Sequence, residues 1–200
     1  MGLFGPSKEE VWQQLCQEIG AEFVEGGFWK GNKVELDVGE MTITLDVYSV
    51  HANNATHYYT RMRAPYINRD GFRFKVYRNN GFAFMRRLFG VPDIELGFVE
   101  FDEKYVIQGT DTGKLTALFA SATLREQLTA DPSVWLEIKD DEGWFATKFP
   151  EGVDELYFSV GGIVKDIERL KGFFSVFTET LQQLQKIGSL EKGDPGVVLQ

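Results

Sequence analysis

The stretch KVELDVGEMTITLDV, residues 33–47, decides the class of fold. Apolar residues alternate with polar or charged ones over 33–38 and again over 41–47, and Gly39 and Glu40 separate the two runs. Such alternation is typical of strands that bury one face and leave the other in water, as in antiparallel sheets. The stretch therefore predicts a β-hairpin within an antiparallel sheet.

The same reasoning, applied to the rest of the chain, predicts strands over 23–30, 57–64, 72–78, 105–108, 134–139, 144–149 and 154–160. Helices are predicted after Ser7, over 82–89, after Asp111 and from Ile163 to Gly188, from capping residues and from apolar residues three and four apart. The predicted fold class is α+β, an antiparallel sheet with helices on one face and a long C-terminal helix.

Domain organisation is predicted from the same elements. Residues 1–188 are expected to form a single α+β domain. A coarse likeness between two halves leaves a duplication, with a break near 90–100, open as an alternative. Residues 189–200 are expected to be a flexible tail, because they have little to bury.

The composition is that of a folded protein with a bulky aromatic core, since 43% of the 200 residues are hydrophobic and 17 are Phe. The net charge of −9 argues against general binding of nucleic acid. The single cysteine, Cys16, lies beside the apolar stripe of the first predicted helix and is expected to be a small buried side chain. No apolar run approaches the roughly 20 residues that span a membrane. A cytoplasmic location is the default expectation, and the lack of a disulfide agrees with it.

Three motifs resemble ligand-binding signatures and fail on spacing. His51 and His57 are six residues apart, which is not a metal-ligand spacing. The run GTDTGK, residues 109–114, is too short between its glycines for a phosphate loop, and Leu115 stands where Ser or Thr is needed. The run DDEG, residues 140–143, lacks the alternating oxygen ligands of a calcium loop. The sequence therefore predicts no catalytic residue, no metal site and no cofactor.

The charge distribution is uneven. Residues 61–87 hold one carboxylate, Asp70, and eight cations: Arg61, Arg63, Arg69, Arg73, Lys75, Arg78, Arg86 and Arg87. If the strands 57–64 and 72–78 pair, alternation puts a set of candidate binding residues on one outward face: Tyr59, Arg61, Arg63, Arg73, Lys75 and Tyr77. An internal explanation stays open, because Glu35, Asp37 and Asp46 face the same side of neighbouring strands and could pair with these cations.

Three short stretches carry a family resemblance: YTRMR at 59–63, DIELG at 93–97 with FDEKY at 101–105, and Asp111 with the helix that holds Leu118 and Phe119. Over about residues 58–187 the chain resembles uncharacterised bacterial domains of unknown function. In those domains an aromatic-rich strand leads into an Asp, a helix follows, and the sheet resumes. The resemblance implies no activity, no cofactor and no catalytic residues.

The leading functional hypothesis is a non-enzymatic binding or scaffold protein that uses the basic, Tyr-bearing sheet face for an anionic ligand or an acidic protein partner. Nucleic acid is disfavoured by the net charge. The alternative is an enzyme whose acid–base site is built from distant carboxylates, Arg and Tyr. Phe173 and Val176 widen the apolar stripe of the last helix midway, and Phe174 and Phe177 fill its seam positions. A broad, Phe-rich stripe favours packing on its own sheet over a coiled coil. Monomer and homodimer both stay open.

Overall fold

A computed structural model describes residues 5–27, 31–79, 93–140 and 149–199. The helix predicted over 82–89 and most of the strand predicted over 144–149 lie outside these residues. Arg86 and Arg87 of the basic segment also lie outside them. Those predictions are therefore not tested by the structure.

The described residues form one sheet of nine strands, and every ladder between them is antiparallel. In chain order the strands are β1 (Glu22–Val24), β2 (Lys33–Val38), β3 (Met41–Ala52), β4 (Ala55–Asn68), β5 (Phe74–Arg78), β6 (Tyr105–Gly109), β7 (Trp135–Lys139), β8 (Val153–Gly161) and β9 (Leu190–Glu191). Across the sheet the order is β1-β2-β3-β4-β8-β7-β5-β6, and β9 pairs with the end of β4. The predicted α+β class is confirmed.

Five helices accompany the sheet in the described ranges: α1 (Lys8–Ile19), α2 (Val99–Lys104), α3 (Thr112–Phe119), α4 (Ala122–Ala130) and α5 (Ile167–Lys186). The predicted capping box begins α1, where the Ser7 N–H donates to Glu10 Oε2 at 2.7 Å and the Glu10 N–H donates to Ser7 Oγ at 3.1 Å. Asp111 caps α3 as predicted, accepting the Lys114 N–H at 3.0 Å. No helix of the described chain combines the length and the apolar character needed to cross a membrane.

The hydrophobic core lies between the sheet and the helices. Alternation along β4, β7 and β8 turns Met62, Leu136 and Phe158 toward the helices, and none of the three is exposed to solvent. Phe173 of α5 contacts Phe158, with the ring centroids 4.8 Å apart. The sheet face opposite these residues is called the outer face below.

The long C-terminal helix packs within its own domain, as its broad apolar stripe predicts. Leu170, Phe174, Phe177 and Leu184 of α5 are all buried in the core that the sheet and the other helices share. The Phe-rich stripe, which could have formed a coiled-coil seam, therefore packs against other residues of the same chain.

The pairing of strands 57–64 and 72–78, on which a continuous basic face depended, does not occur. β4 and β5 do not pair, because β8 and β7 lie between them. β4 is also longer than predicted and continues through Pro65. Pro65 is opposite Glu155 in the ladder with β8, but its nitrogen faces the other side of β4, because the Tyr58 carbonyl and the Asn68 N–H are the groups that face the β8 side. On that other side it lies between the last pair with β3, at Arg63, and the first pair with β9, at Ile67, so its missing N–H leaves no ladder bond unmade.

The segment after α5 buries several side chains. Leu190 of β9 is 4% exposed and Leu199 is 7% exposed. The Ser189 hydroxyl is buried and accepts a hydrogen bond from Lys114 Nζ at 3.1 Å. The reason for expecting a flexible tail over 189–200, namely that it has little to bury, is therefore wrong for these three residues.

Candidate functional site

The outer face carries charged and aromatic side chains in rows that cross the strands. One row runs Asp46, Arg61, Ser159, Trp135, Tyr77, each residue opposite the next in the register. The next row runs Arg63, Tyr157, Glu137, Lys75, and the row beyond it sets Glu155 opposite Lys139. Side chains directly opposite one another lie about 5 Å apart, so neighbours within a row can interact. These residues, with Tyr48 and Tyr59, are called the outer plate.

Asp46 binds two arginines of β4. Arg61 Nε donates to Asp46 Oδ1 at 2.5 Å, and Arg63 Nη2 donates to Asp46 Oδ2 at 2.6 Å. Burial acts to lower the pKa of Arg61, but the hydrogen bonds and the charge of Asp46 outweigh it, and the pKa lies above its ordinary value. Asp46 is thus the predicted internal partner of the basic face. Of the other two predicted partners, Glu35 pairs with Lys33 at 2.6 Å, and Asp37 accepts the Thr42 hydroxyl at 2.8 Å.

Glu137 of β7 has the same arrangement with two lysines. Lys75 Nζ lies 3.1 Å from Glu137 Oε2, and Lys139 Nζ lies 3.3 Å from Glu137 Oε1. The carboxylate side chain is 11% exposed, whereas the lysine side chains are 39% and 31% exposed. The ammonium groups therefore remain accessible from solvent while the carboxylate beneath them is largely covered.

Glu155 of β8 is the most deeply buried carboxylate of the outer plate. Its side chain has no exposure to solvent, and neither carboxylate oxygen has a hydrogen-bond partner among the described residues. Burial raises its pKa from 4.5 to about 7, and the nearby charges of Arg63, Lys139 and Arg61 limit the rise. At neutral pH this carboxyl group is consequently divided between its protonated and ionised forms.

Aromatic rings of the outer plate stack in pairs. The Tyr48 and Tyr59 centroids are 5.1 Å apart, and the Tyr77 and Trp135 centroids are 4.6 Å apart. Cations lie over three of the plate's rings: Arg61 over Tyr48 at 5.0 Å, Lys75 over Trp135 at 5.0 Å, and Lys139 over Tyr157 at 3.2 Å. Burial, and then the hydrogen bond with Tyr48, hold the pKa of Tyr157 well above its ordinary value, so this phenol is a neutral hydroxyl at physiological pH.

A pocket of about 380 Å³ opens on the outer plate. Its walls are the rings of Tyr48, Tyr59, Trp135 and Tyr157, and its polar lining includes Glu137, Lys139, Ser133 and Ser159. A second depression of about 440 Å³ shares Ser133 and Trp135 with it and continues along Tyr77 and Arg78. Volumes of this size lie in the range that small-molecule ligands occupy.

The structure brings five of the six sequence-predicted site residues onto the outer face. Tyr59, Arg61 and Arg63 reach it from β4, and Lys75 and Tyr77 reach it from β5. They do not form one continuous basic plate, since β8 and β7 insert Glu155 and Glu137 between the two groups.

Arg73, the sixth predicted residue, lies apart from the outer plate. It precedes β5, and its Nε donates to Asp154 Oδ2 at 3.0 Å while its Nη1 donates to Asp140 Oδ2 at 2.8 Å. Asp154 lies two residues before the core-facing Leu156 of β8, and therefore on the same side of the sheet, and it is 3% exposed. Arg73 thus neutralises a buried carboxylate at the end of the sheet.

Sequence reasoning missed the members of the outer plate that come from the second half of the chain: Trp135, Glu137, Lys139, Glu155, Tyr157 and Ser159. The signal was present, because the strands over 134–139 and 154–160 were predicted and their alternation fixes which side chains share a face. What the alternation does not fix is which strands are neighbours.

One further polar cluster lies near the end of β4. Lys114 Nζ contacts the Asp70 carboxylate and the Ser189 hydroxyl, an arrangement that resembles a lysine-activated nucleophile. Ser189 has no solvent exposure, however, so a substrate cannot reach its oxygen. Within the described ranges no group of three or more His, Cys, Asp or Glu side chains is placed to hold a metal ion.

In comparisons with known proteins, the chain matches no family model, no curated protein and no solved structure. The resemblance to bacterial domains of unknown function over residues 58–187 stays a prediction.

Proposed function

We propose that this protein is a non-enzymatic binding protein that holds a small anionic ligand with a flat ring in the pocket of the outer plate. The observation that carries the proposal is the charge balance of the outer plate. The plate holds four cations, Arg61, Arg63, Lys75 and Lys139, and three carboxylates, Asp46, Glu137 and Glu155. Of these groups, Lys139 and Glu137 line the pocket itself. Because Asp46 and Glu137 are each shared by two cations, the plate keeps a surplus of positive charge in a chain whose net charge is −9.

The lining of the pocket supports a ligand with a flat ring. Tyr59 of β4 and Trp135 of β7 present aromatic surface from two sides of the pocket, and Tyr157 of β8 adds a ring between them. Aromatic surfaces favour planar ligands through stacking, and hydroxyl groups such as those of Ser133 and Ser159 fix their orientation through hydrogen bonds. The Lys139 ammonium supplies the contact for the anionic group, since it lines the pocket and remains partly exposed.

A second candidate function, acid–base catalysis, is favoured by one observation. Glu155 has a pKa of about 7, which is a value suited to proton transfer at neutral pH. A catalytic group must, however, come within hydrogen-bond distance of the substrate. Glu155 is fully buried and is not among the residues that line the pocket. The geometry therefore supports binding better than catalysis.

The proposal is tested by titrating the full chain with anionic ring compounds, namely benzoate, indole-3-acetate and AMP, in isothermal titration calorimetry. We expect at least one of these probes to bind. Lys139→Gln should then weaken its binding at least about tenfold, because a charge-assisted contact is worth roughly 1.5–3 kcal/mol. Lys165→Gln is the matched control, since this exposed lysine lies outside the pocket, and it should leave the binding unchanged.

Two results would contradict the proposal. One is the absence of heat with all three probes. The other is equal weakening by Lys139→Gln and Lys165→Gln, which would place the anion contact outside the pocket. Turnover of a bound probe that disappears in Glu155→Gln would instead favour the enzyme hypothesis.

A further inference from the structure

In the part of the chain that the structure describes, the hairpin of β3 and β4 extends beyond its ladders with β2 and β8. The β2 ladder reaches β3 only as far as Leu45, and the β8 ladder reaches β4 only as far as Thr60. Beyond these points β3 and β4 continue to pair with each other up to Ala52 and Ala55, a projection of roughly 17 Å at 3.4 Å per residue. The segment 47–60 is called the β-arm.

The turn of the β-arm is a tight two-residue turn. Asn53 and Asn54 have φ angles of 50° and 61°, the left-handed values that a two-residue hairpin turn requires and that asparagine tolerates well. The turn matches the right-handed twist of the two strands. The β-arm is therefore a regular hairpin to its tip.

The β-arm has no charged side chain. No Asp, Glu, Lys or Arg occurs from Val47 to Thr60, although 26% of the chain is charged. Val50 is 42% exposed and Tyr58 is 50% exposed. Exposed edge strands normally carry lysine, proline or a bulge, which prevent pairing with another chain. The β-arm carries none of these, so its sequence permits pairing.

The outer edge of β3 is the edge that faces away from β4. In a two-residue hairpin the N–H and C=O groups of successive residues point alternately toward the partner strand and away from it. Gly162 N–H donates to the Tyr58 carbonyl from the far side of β4, so Tyr58 and its cross-strand partner Ser49 both point away from the hairpin. By alternation Val47 and His51 point outward with Ser49. Among the described residues, no strand pairs with this edge beyond Leu45.

We propose that the outer edge of β3 in the β-arm binds the same edge of a second copy of this chain. Antiparallel pairing centred on Ser49 sets Val47 of each copy opposite His51 of the other copy. The contact is therefore self-complementary, as a twofold interface must be. Each outward residue can exchange two main-chain hydrogen bonds, about six in all. Two chains of net charge −9 repel each other, and the β-arm is an uncharged surface on which they can meet.

The opposite edge of the β-arm is less suited to this contact. The Tyr58 carbonyl on β4 already accepts the hydrogen bond from Gly162, and Tyr59 forms an isolated bridge with the same glycine. Only the short stretch 55–57 of that edge remains beyond the bridge. This difference between the two edges supplies a control within the same hairpin.

The oligomeric state of the full chain, measured by sedimentation equilibrium from about 1 to 200 µM, tests the proposal. We expect the mass to rise above that of the 22.7 kDa monomer as the concentration increases. Ser49→Pro removes an outward N–H without breaking the hairpin, and it should weaken dimerisation at least about tenfold. Thr56→Pro removes an outward N–H from the opposite edge and should leave dimerisation unchanged. A wild-type chain that stays monomeric throughout, or two proline variants that dimerise alike, would overturn the proposal.

Cysteine cross-linking tests the same contact without relying on the proline variants to fold. Ser49→Cys places two thiols opposite each other across the twofold axis, within the Cα separation of about 4.4–6.8 Å that a disulfide tolerates. Mild oxidation should therefore give a covalent dimer with Ser49→Cys and none with Thr56→Cys. Cys16 is buried and is present in both variants, so any cross-linking through it is the same in the two. Equal cross-linking of the two variants, or none in either, would count against pairing along β3.

Discussion

Replacing Glu155 with Gln should change the stability of the protein by an amount that becomes more favourable as the pH rises. The folded state raises the pKa of Glu155 from 4.5 to about 7, because burial disfavours the ionised carboxylate. Below pH 4.5 the group is protonated whether the chain is folded or unfolded, so ionisation costs the folded state nothing. Between pH 4.5 and 7 the unfolded chain loses this proton more readily than the folded chain, and the wild type loses stability as the pH rises.

The magnitude follows from the difference between the two pKa values. A rise from 4.5 to about 7 corresponds to roughly 3 kcal/mol of stability lost above pH 7, since one pH unit is worth about 1.4 kcal/mol. Gln has nearly the same shape and cannot ionise. Relative to the wild type, Glu155→Gln should therefore gain about 3 kcal/mol between pH 4.5 and pH 8, whatever constant offset its buried amide adds.

Urea unfolding of both proteins at several values between pH 4.5 and pH 8 measures this difference. Glu179→Gln supplies a control of opposite sign, because hydrogen bonds from Ser121 and then Gln183 lower the pKa of Glu179. Ionised Glu179 stabilises the fold at every pH above the pKa that this group has in the unfolded chain. The stabilisation is lost only as the pH falls through the lower pKa that the group has in the folded chain. The Glu179→Gln difference should accordingly stay flat over this range. A flat difference for Glu155→Gln as well would show that burial does not raise the pKa of Glu155. A difference of reversed sign would show that the neighbouring cations stabilise its ionised form.

Two other predictions concern packing. Phe174→Ala should destabilise the monomer by ~3–5 kcal/mol in urea unfolding, the usual loss for a buried Phe, because Phe174 is 5% exposed in the core; an unchanged midpoint would contradict its burial. Gly109→Ala should destabilise by ~1–3 kcal/mol, since an added Cβ would lie 2.8 Å from the Arg73 carbonyl oxygen and 2.9 Å from Leu115 Cδ1. Gly172 lies on the exposed side of α5, and nothing lies within 4 Å of a Cβ added there. Gly172→Ala should therefore stabilise the protein by about 0.5–1 kcal/mol. Stability changes of the same sign in both glycine variants would refute the steric argument.

Local features of the fold could be predicted because their causes are local. The capping box at Ser7 and Glu10, the hairpin joint at Gly39 and the broad stripe of α5 each depend on residues within a few positions of one another. Strand order has no such local cause. β4 and β5 are nearly consecutive in sequence, yet they are separated by two strands from the second half of the chain. For this reason the sequence predicted the positions of the strands more reliably than their order in the sheet.

The end of β3 and the start of β4 were predicted too short for a related reason. Residues 48–58 are polar and weakly periodic, since this part of the hairpin has little core to face, and the burial pattern there is almost wholly exposed. Alternation of apolar and polar residues detects strands only where one face is buried. The two left-handed asparagines at 53 and 54 were the available signal for the turn.

The inserted strands also resolve the electrostatic difficulty that a continuous basic plate would create. Arg61 and Arg63 directly opposite Arg73 and Lys75 would have placed like charges about 5 Å apart and destabilised the ladder. In the structure, Arg63 faces Tyr157, and Lys75 faces Glu137. Each cation therefore meets a ring or a carboxylate across the strand rather than another cation. The same insertion brings Trp135 and Tyr157 beside the residues of β4, so the arrangement that relieves the repulsion also forms the pocket.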